Sequence, residues 1–275
     1  MMRVTPRGSQ VILGGVDKSN SVALRHGTPP PSPGSTAAIS GLPGARAVLD
    51  AGLFWTAYEP VLESSSLRVV AYEALARFRR PDGVPITTAS MFALLHADPA
   101  LLIETELAVK RHQIERAPAG ELFVNLDPDS WSVGGLGNDS PVLDLLASAG
   151  PRVVVEVIEN TDAADAVLGR TLVATLRARD LRVALDDVGA TNSLLSFETL
   201  DAADVLKFDR SLLRRLGSRG RRRAIVEAFV RMARSTGART VLEGVETLAD
   251  LALARELGVD LVQGYLFRDR TLQAR

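Results

Sequence analysis

From about residue 50 the chain alternates between short apolar runs bounded by turn signals and longer segments whose apolar positions recur every three or four residues. The short runs predict strands at 53–62, 67–78, 121–126, 152–159, 181–186, 204–209, 238–244 and 260–267. The longer segments predict amphipathic helices at 100–117, 162–180, 221–237 and 246–258. The last two close on Gly237 and Gly258, as helices often do.

Strands alternating with helices over about 225 residues suit an α/β fold of the (β/α)8, TIM-like barrel type. An open doubly wound sheet is the alternative, and it loses ground because no glycine-rich phosphate loop follows any strand. One connection breaks the alternation. The stretch ESSS at 63–66 is too short for a helical crossover, so the first strand must run antiparallel to the second. Ahead of the barrel domain, expected over 49–275, residues 1–48 include RHGTPPPSPGSTAAISGLPGAR at 25–46. That composition buries too little apolar surface to offset its ordering entropy and reads as a flexible leader.

Composition narrows the chemistry. There is no cysteine, which excludes disulfides, thiolate nucleophiles and cysteine-ligated zinc. The three histidines, His26, His96 and His112, make an imidazole-built metal site a poor expectation, so any metal is held mainly by oxygen, as suits magnesium, manganese or calcium. A net charge of −1 excludes a strong overall pull toward polymeric nucleic acid or membranes. The basic run RRLGSRGRRRA at 214–224 has no interleaved aromatics and reads as a solvated loop and helix start. No apolar run reaches the roughly 18 residues a membrane helix needs, and VILGGV is too short for a signal-peptide core, which makes the cytoplasm the default location.

In a barrel of this type chemistry sits at the C-terminal ends of the strands. The polar residues there are Glu73, Asn125, Glu156, Asp186 with Asp187, Lys207 with Asp209, Glu243 and Gln263. Singly each has a plain explanation: Asp187 as a helix cap, Glu156 or Glu243 paired to a local arginine, Lys207 and Asp209 neutralising each other, and the amides satisfying loop backbone. Together they put several carboxylates around one lysine, and unpaired like charges at close range cost several kcal/mol or raise pKa values sharply. Divalent cations are the simplest remedy, and this number of acids suggests two ions with Asp186 bridging them and Asp187 on the second. Such a pair of ions serves phosphoester chemistry. Lys207 would then offset charge on the attacking water or the phosphate. Arg77 shares a strand face with Glu73 at period two and can reach a phosphate beside that metal. Proton abstraction beside a metal-bound carboxylate is a second reaction class that such a mouth can serve, disfavoured because the capping domain typical of such enzymes is not visible in the sequence.

These stretches resemble the EAL-domain family of cyclic di-GMP phosphodiesterases. The motifs stand in order as YEALARF (72–78), FVNLDPDSW (123–131), VEVIEN (155–160), ALDDVGATNSLL (184–195), LKFDRSLL (206–213), LEGVET (242–247) and VQGYLF (262–267), over about residues 51–270. The resemblance implies a barrel with an antiparallel first strand and Mg²⁺- or Mn²⁺-dependent hydrolysis of cyclic di-GMP to linear pGpG. It implies a first metal on Glu73, Asn125, Glu156 and Asp186, a second on Asp186 and Asp187, and Glu243 as ligand or general base. Lys207 would contact the catalytic water, with Arg77, Leu75, Asp209 and Gln263 on the substrate. Glu159 would support the loop after the acid pair, and homodimers often form through that loop.

The sequence departs from the family pattern as well. The loop usually reads DDFGTGYS and here carries Val188, Ala190, Thr191 and Asn192; Thr191 does not easily adopt a positive φ, so a weaker hold on the second metal or the dimer contact is expected. Glu59 replaces a usual Gln and is expected to repel a phosphate, and LFRDR lacks a usual Pro. These departures motivate the alternative of a weakly active or inactive module that acts as a cyclic di-GMP receptor or protein-interaction domain.

Overall fold

The computed structural model describes residues 41–133, 139–158, 163–190, 196–212 and 220–275. Strands β1 (Phe54–Glu63), β2 (Val69–Arg79), β4 (Glu121–Asn125), β5 (Val153–Ile158), β6 (Arg182–Val188), β7 (Val205–Phe208), β8 (Arg239–Leu242) and β9 (Leu261–Val262) close into a barrel. From β2 to β9 neighbours are parallel, whereas β1 runs antiparallel to both β2 and β9 and so closes the ring. The short hairpin forced by ESSS therefore gives the reversed strand, and the open-sheet alternative falls. Two small strands, β3 (Pro85–Ile86) and β10 (Leu272–Ala274), extend the outer edges of β2 and β1.

The helices expected from periodicity form as α3 (Pro99–Glu115), α6 (Ala163–Ala178), α8 (Arg221–Thr236) and α9 (Leu248–Leu257). Four more are shorter: α2 (Thr88–Leu95), α4 (Pro128–Val133), α5 (Pro141–Ser148) and α7 (Phe197–Ala202). Gly237 and Gly258 end α8 and α9 with φ of 83° and 74°, a left-handed conformation that glycine adopts without a Cβ clash. The basic run at 214–224 is described only at its end, where Arg223 pairs with Glu227 at 2.9 Å and Glu256 at 3.2 Å.

Two expectations are corrected. The leader expected over 1–48 gives way by Gly41 to a helix, α1 (Gly41–Asp50), whose Ala45 and Val48 are buried against Phe78, Met91, Leu95 and Leu101. Leu42, Ala45 and Leu49 carry a helical stripe that the surrounding Pro and Gly obscure. The strand expected over 260–267 stops after Val262 because the chain folds tightly at Gly264, where a Cβ would lie 2.3 Å from the Val245 nitrogen; a 3₁₀ helix follows at Tyr265–Arg270.

Side-chain alternation divides the core into layers. Outward-facing residues such as Val124, Val155, Val183 and Leu206 pack beneath the helices. Inside, Val61, Ala71, Phe123, Val154, Ala184, Val205, Val241 and Leu261 form an apolar plug, one residue from each barrel strand. This plug is the floor of the site.

Candidate active site

Two residues beyond each member of that plug, strand alternation brings the next inward side chain to the mouth. Counted along the parallel strands these are Glu73, Asn125, Glu156, Asp186, Lys207, Glu243 and Gln263. On the reversed strand β1 the count runs backwards from Val61 and gives Glu59, which stands directly opposite Glu73 in the β1–β2 register. The ring therefore holds one polar side chain per strand. From the sequence Glu59 stands only as a departure near the site; the antiparallel register, counted in the opposite sense, is the signal that places it in the ring.

Lys207 is the centre of the ring and is 1% exposed. Its Nζ lies 3.1 Å from Asp186 Oδ1, 2.7 Å from Glu243 Oε1 and 3.7 Å from Glu73 Oε2, and it touches Glu156 Oε1 more closely still. The pairing with Asp209 considered from sequence does not occur: Asp209 Oδ1 accepts the Ser211 backbone N–H at 2.7 Å. Glu73 is fixed by two amides, accepting from Asn125 Nδ2 at 3.1 Å and from Gln263 Nε2 at 2.6 Å. Above it on the same face stand Leu75, opposite Ala57, and Arg77, opposite Trp55. Arg77 Nη2 donates to Glu59 Oε1 at 3.2 Å.

Asp187 is not the helix cap considered from sequence. In a regular strand it would point away from Asp186. The β6–β7 register shifts between Leu185 and Val188, and Asp187 takes a left-handed φ of 57°. An aspartate tolerates that conformation better than most residues. Gly189 continues the turn with φ 85°. As a result carboxylate oxygens of Asp186, Asp187 and Glu243 lie within 4.8 Å of one another.

The electrostatics follow from four carboxylates sharing one ammonium. Burial and the charges of Glu73 and Asp186 hold the Glu156 carboxyl well above its ordinary pKa, with Lys207 only partly opposing them. Burial likewise raises Glu243 well above its usual range, against the pull of Lys207. Burial also works against charge on Glu73, but Lys207 and the Gln263 and Asn125 donors prevail and its pKa falls. Lys207 is desolvated yet held well above its usual value by Asp186, Glu156, Glu243 and Glu73. Glu59 is raised to about 7 by burial and by Glu73, with Arg77 opposing.

The set fits divalent cations. Hard oxygen donors converge, burial and neighbouring acids make two of the carboxyls hold protons more tightly than usual, and three carboxylates present one oxygen each to a common point. A second grouping, His96 with Asp127 and Asp129, is already satisfied: His96 Nε2 lies 2.9 Å from Asp127 Oδ2, a hydrogen bond that raises the imidazole pKa, while Asp127 Oδ1 accepts the backbone N–H groups of Asp129 and Ser130. Glu159, Thr191 and Asn192 lie outside the described residues.

With this geometry in hand, the comparisons with known proteins are direct. The model of the EAL domain matches residues 45–269. The chain is 27% identical over 220 residues to the probable cyclic di-GMP phosphodiesterase PdeN of Escherichia coli K12, covering 77% of this chain and 42% of that protein. It is 29% identical over 218 residues to the cyclic di-GMP phosphodiesterase NbdA of Pseudomonas aeruginosa, covering 76% and 28%. It thus spans less than half the length of these curated relatives. Among solved structures, a manganese and cyclic di-GMP complex of Klebsiella pneumoniae BlrP1 superposes with a TM-score of 0.63 at 28% identity, over 81% of this chain and 56% of that one. No helix among the described residues is long and apolar enough to cross a membrane. A match across nearly the whole barrel, with a polar side chain at the mouth end of every strand, shows that this chain belongs to the EAL domain family.

Proposed function

We propose that the chain hydrolyses one phosphodiester bond of cyclic di-GMP to give linear pGpG, using two Mg²⁺ or Mn²⁺ ions. The observation that carries this reading is the ring itself: Glu73, Glu156, Asp186 and Glu243 share the single ammonium of Lys207. Glu73, Asn125, Glu156 and Asp186 would hold one ion, and Asp186, Asp187 and Glu243 the other. When bound, such ions lower the pKa of water and offset charge at the leaving oxygen.

The chain's own groups supply the rest. Asn125 and Gln263 lock the Glu73 carboxylate in one orientation, so it is preorganised toward the floor of the mouth. Glu243, its basicity raised by burial, would serve either as a ligand of the second ion or as the base that takes the proton of the attacking water. Lys207, held protonated, offsets charge that grows on the attacking oxygen and the phosphate. Arg77 and Leu75 form the wall against which the phosphate and sugar of the dinucleotide lie, with Asp209 at the rim. The balance is that of hydrolysis: one P–O bond breaks, the water oxygen joins phosphorus, and the leaving ribose oxygen gains a proton. The apolar head of α7, where Phe197 is 87% exposed, favours a homodimer as the assembly, and a cytoplasmic setting suits the substrate.

The test is product analysis: purified protein with Mn²⁺ and cyclic di-GMP yields pGpG, and Glu73→Ala does not. Equal turnover by both contradicts the reading. The Glu59–Arg77 pair favours a second reading, a receptor without turnover, which calorimetry identifies as dinucleotide binding with no product whatever the metal.

A further inference from the structure

Arg77 is the guanidinium best placed above the ring, and it is already engaged. Glu59 Oε1 accepts from its Nη2 at 3.2 Å, with the two side chains 19% and 31% exposed. Glu59 is not a rim residue that happens to reach Arg77. It projects inward from β1, opposite Glu73, one step above the apolar plug. Two acids facing each other across a strand pair repel, and Arg77 on the same face, with Lys207 and Gln263 assisting, offsets that repulsion.

The charge count gives this pair a consequence. With every group ionised, Glu59, Glu73, Glu156, Asp186, Asp187 and Glu243 are six acids against the two cations Lys207 and Arg77, and two divalent ions would cancel the difference. With those ions bound, a neutral side chain at 59 would leave a surplus of one positive charge, centred on a guanidinium whose Nη1 donates to the Ala76 carbonyl at 3.2 Å and whose Nη2, released from Glu59, could take an anion.

We propose that Glu59 is an intramolecular occupant of the Arg77 anion seat, so that an incoming phosphodiester must displace this carboxylate, and that residue 59 thereby sets the affinity of the mouth for anionic ligands. The inference rests on the phosphodiester reading for its ligand, but the occupation of Arg77 is measurable without it. A carboxylate that the ligand must displace is a repulsive device built into the site, weakening binding of every phosphate-bearing ligand.

The experiment compares wild type with Glu59→Gln, and with Glu59→Ala should the first not fold. Phenylglyoxal labelling of Arg77, read by peptide mass, needs no dinucleotide and becomes several-fold faster in the variants. Binding of cyclic di-GMP in the presence of Mn²⁺ tightens by about tenfold, with a larger change in KM than in kcat. In an Arg77→Ala background the same substitution changes affinity by less than about twofold, because the two residues act through one pair. Unchanged labelling of Arg77 overturns the proposal. So does faster labelling accompanied by equal or weaker dinucleotide binding. Faster labelling with no dinucleotide bound by either protein upholds the occupation of Arg77 and removes cyclic di-GMP as the ligand, so the two ideas fail separately.

Discussion

The two ends of the barrel solve opposite charge problems. At the N-terminal end Glu121, the first residue of β4, accepts from Arg182 Nη1 at 2.7 Å and Arg239 Nη2 at 2.5 Å, the first residues of β6 and β8. One acid is clasped by two guanidinium groups, and burial notwithstanding, their hydrogen bonds hold its pKa below the usual value. Asp260 is likewise satisfied locally, by Thr240 N at 2.9 Å and Thr240 Oγ1 at 2.8 Å. At the C-terminal mouth the proportion reverses, with four acids around one lysine. The same strands, separated by a few residues, carry a closed network at one end and an excess of negative charge at the other. The closed end is built to stay folded. The open end carries an excess that divalent cations would offset.

The comparison breaks most readily at Glu73. Glu73→Ala removes a carboxylate that two amides and Lys207 hold in place, and kcat for cyclic di-GMP falls by on the order of 10²–10³-fold, as loss of a preorganised charge-stabilising group does. Next comes Lys207→Met, which leaves the buried carboxylates without their ammonium. Chemical denaturation in EDTA should show a loss of about 3–5 kcal/mol, the range for breaking a buried ion pair from one side. Added Mn²⁺ recovers a large part of it, because positive charge from any source relieves the same repulsion. If the loss is identical with and without the ion, the acids are not short of charge.

A pH titration sharpens the contrast between the ends. Glu156 and Glu243 have raised pKa values in the folded protein, and Glu59 stands at about 7, so the folded state binds more protons than the unfolded one above the ordinary carboxylate range. The metal-free protein therefore loses stability as pH rises from the ordinary carboxylate pKa through these folded values. Glu156→Gln flattens that slope, which thermal unfolding across pH 5–8 in EDTA reads out. Glu121 behaves in the opposite sense: its pKa is lowered, so its contribution is present at neutral pH and disappears as pH falls through its folded value. The smallest effect is expected at the closed end: Arg182→Ala lowers stability by about 1 kcal/mol, because Arg239 still holds Glu121, and leaves turnover unchanged.

Much of this was legible in the sequence because strand period and barrel geometry both act locally. Counting two residues past the apolar plug finds Glu73, Asn125, Glu156, Asp186, Lys207, Glu243 and Gln263 without any tertiary information. The exceptions have specific causes. Glu59 escaped because β1 is reversed, so its inward residue precedes the plug position in sequence rather than following it. Asp187 is placed on the second ion by its charge beside Asp186, but strand alternation alone would point it outward, and only a register shift with a left-handed φ turns it to the mouth. The helix at Gly41–Asp50 was hidden by its neighbours: Pro and Gly dominate the window average although Ala45 and Val48 face the core. The two-residue spacing of Lys207 and Asp209 allows a mutual pair as one plain reading, yet Asp209 Oδ1 accepts the Ser211 backbone N–H instead.

The central claim is that the mouth is short of positive charge by the amount two divalent cations carry. Titration of Mn²⁺ into EDTA-stripped protein by calorimetry measures this directly. The account predicts two ions bound per chain, release of protons from the ring on binding, and loss of most of that binding in Asp186→Asn. No ion bound at millimolar Mn²⁺, with the acids content around Lys207 alone, would contradict it.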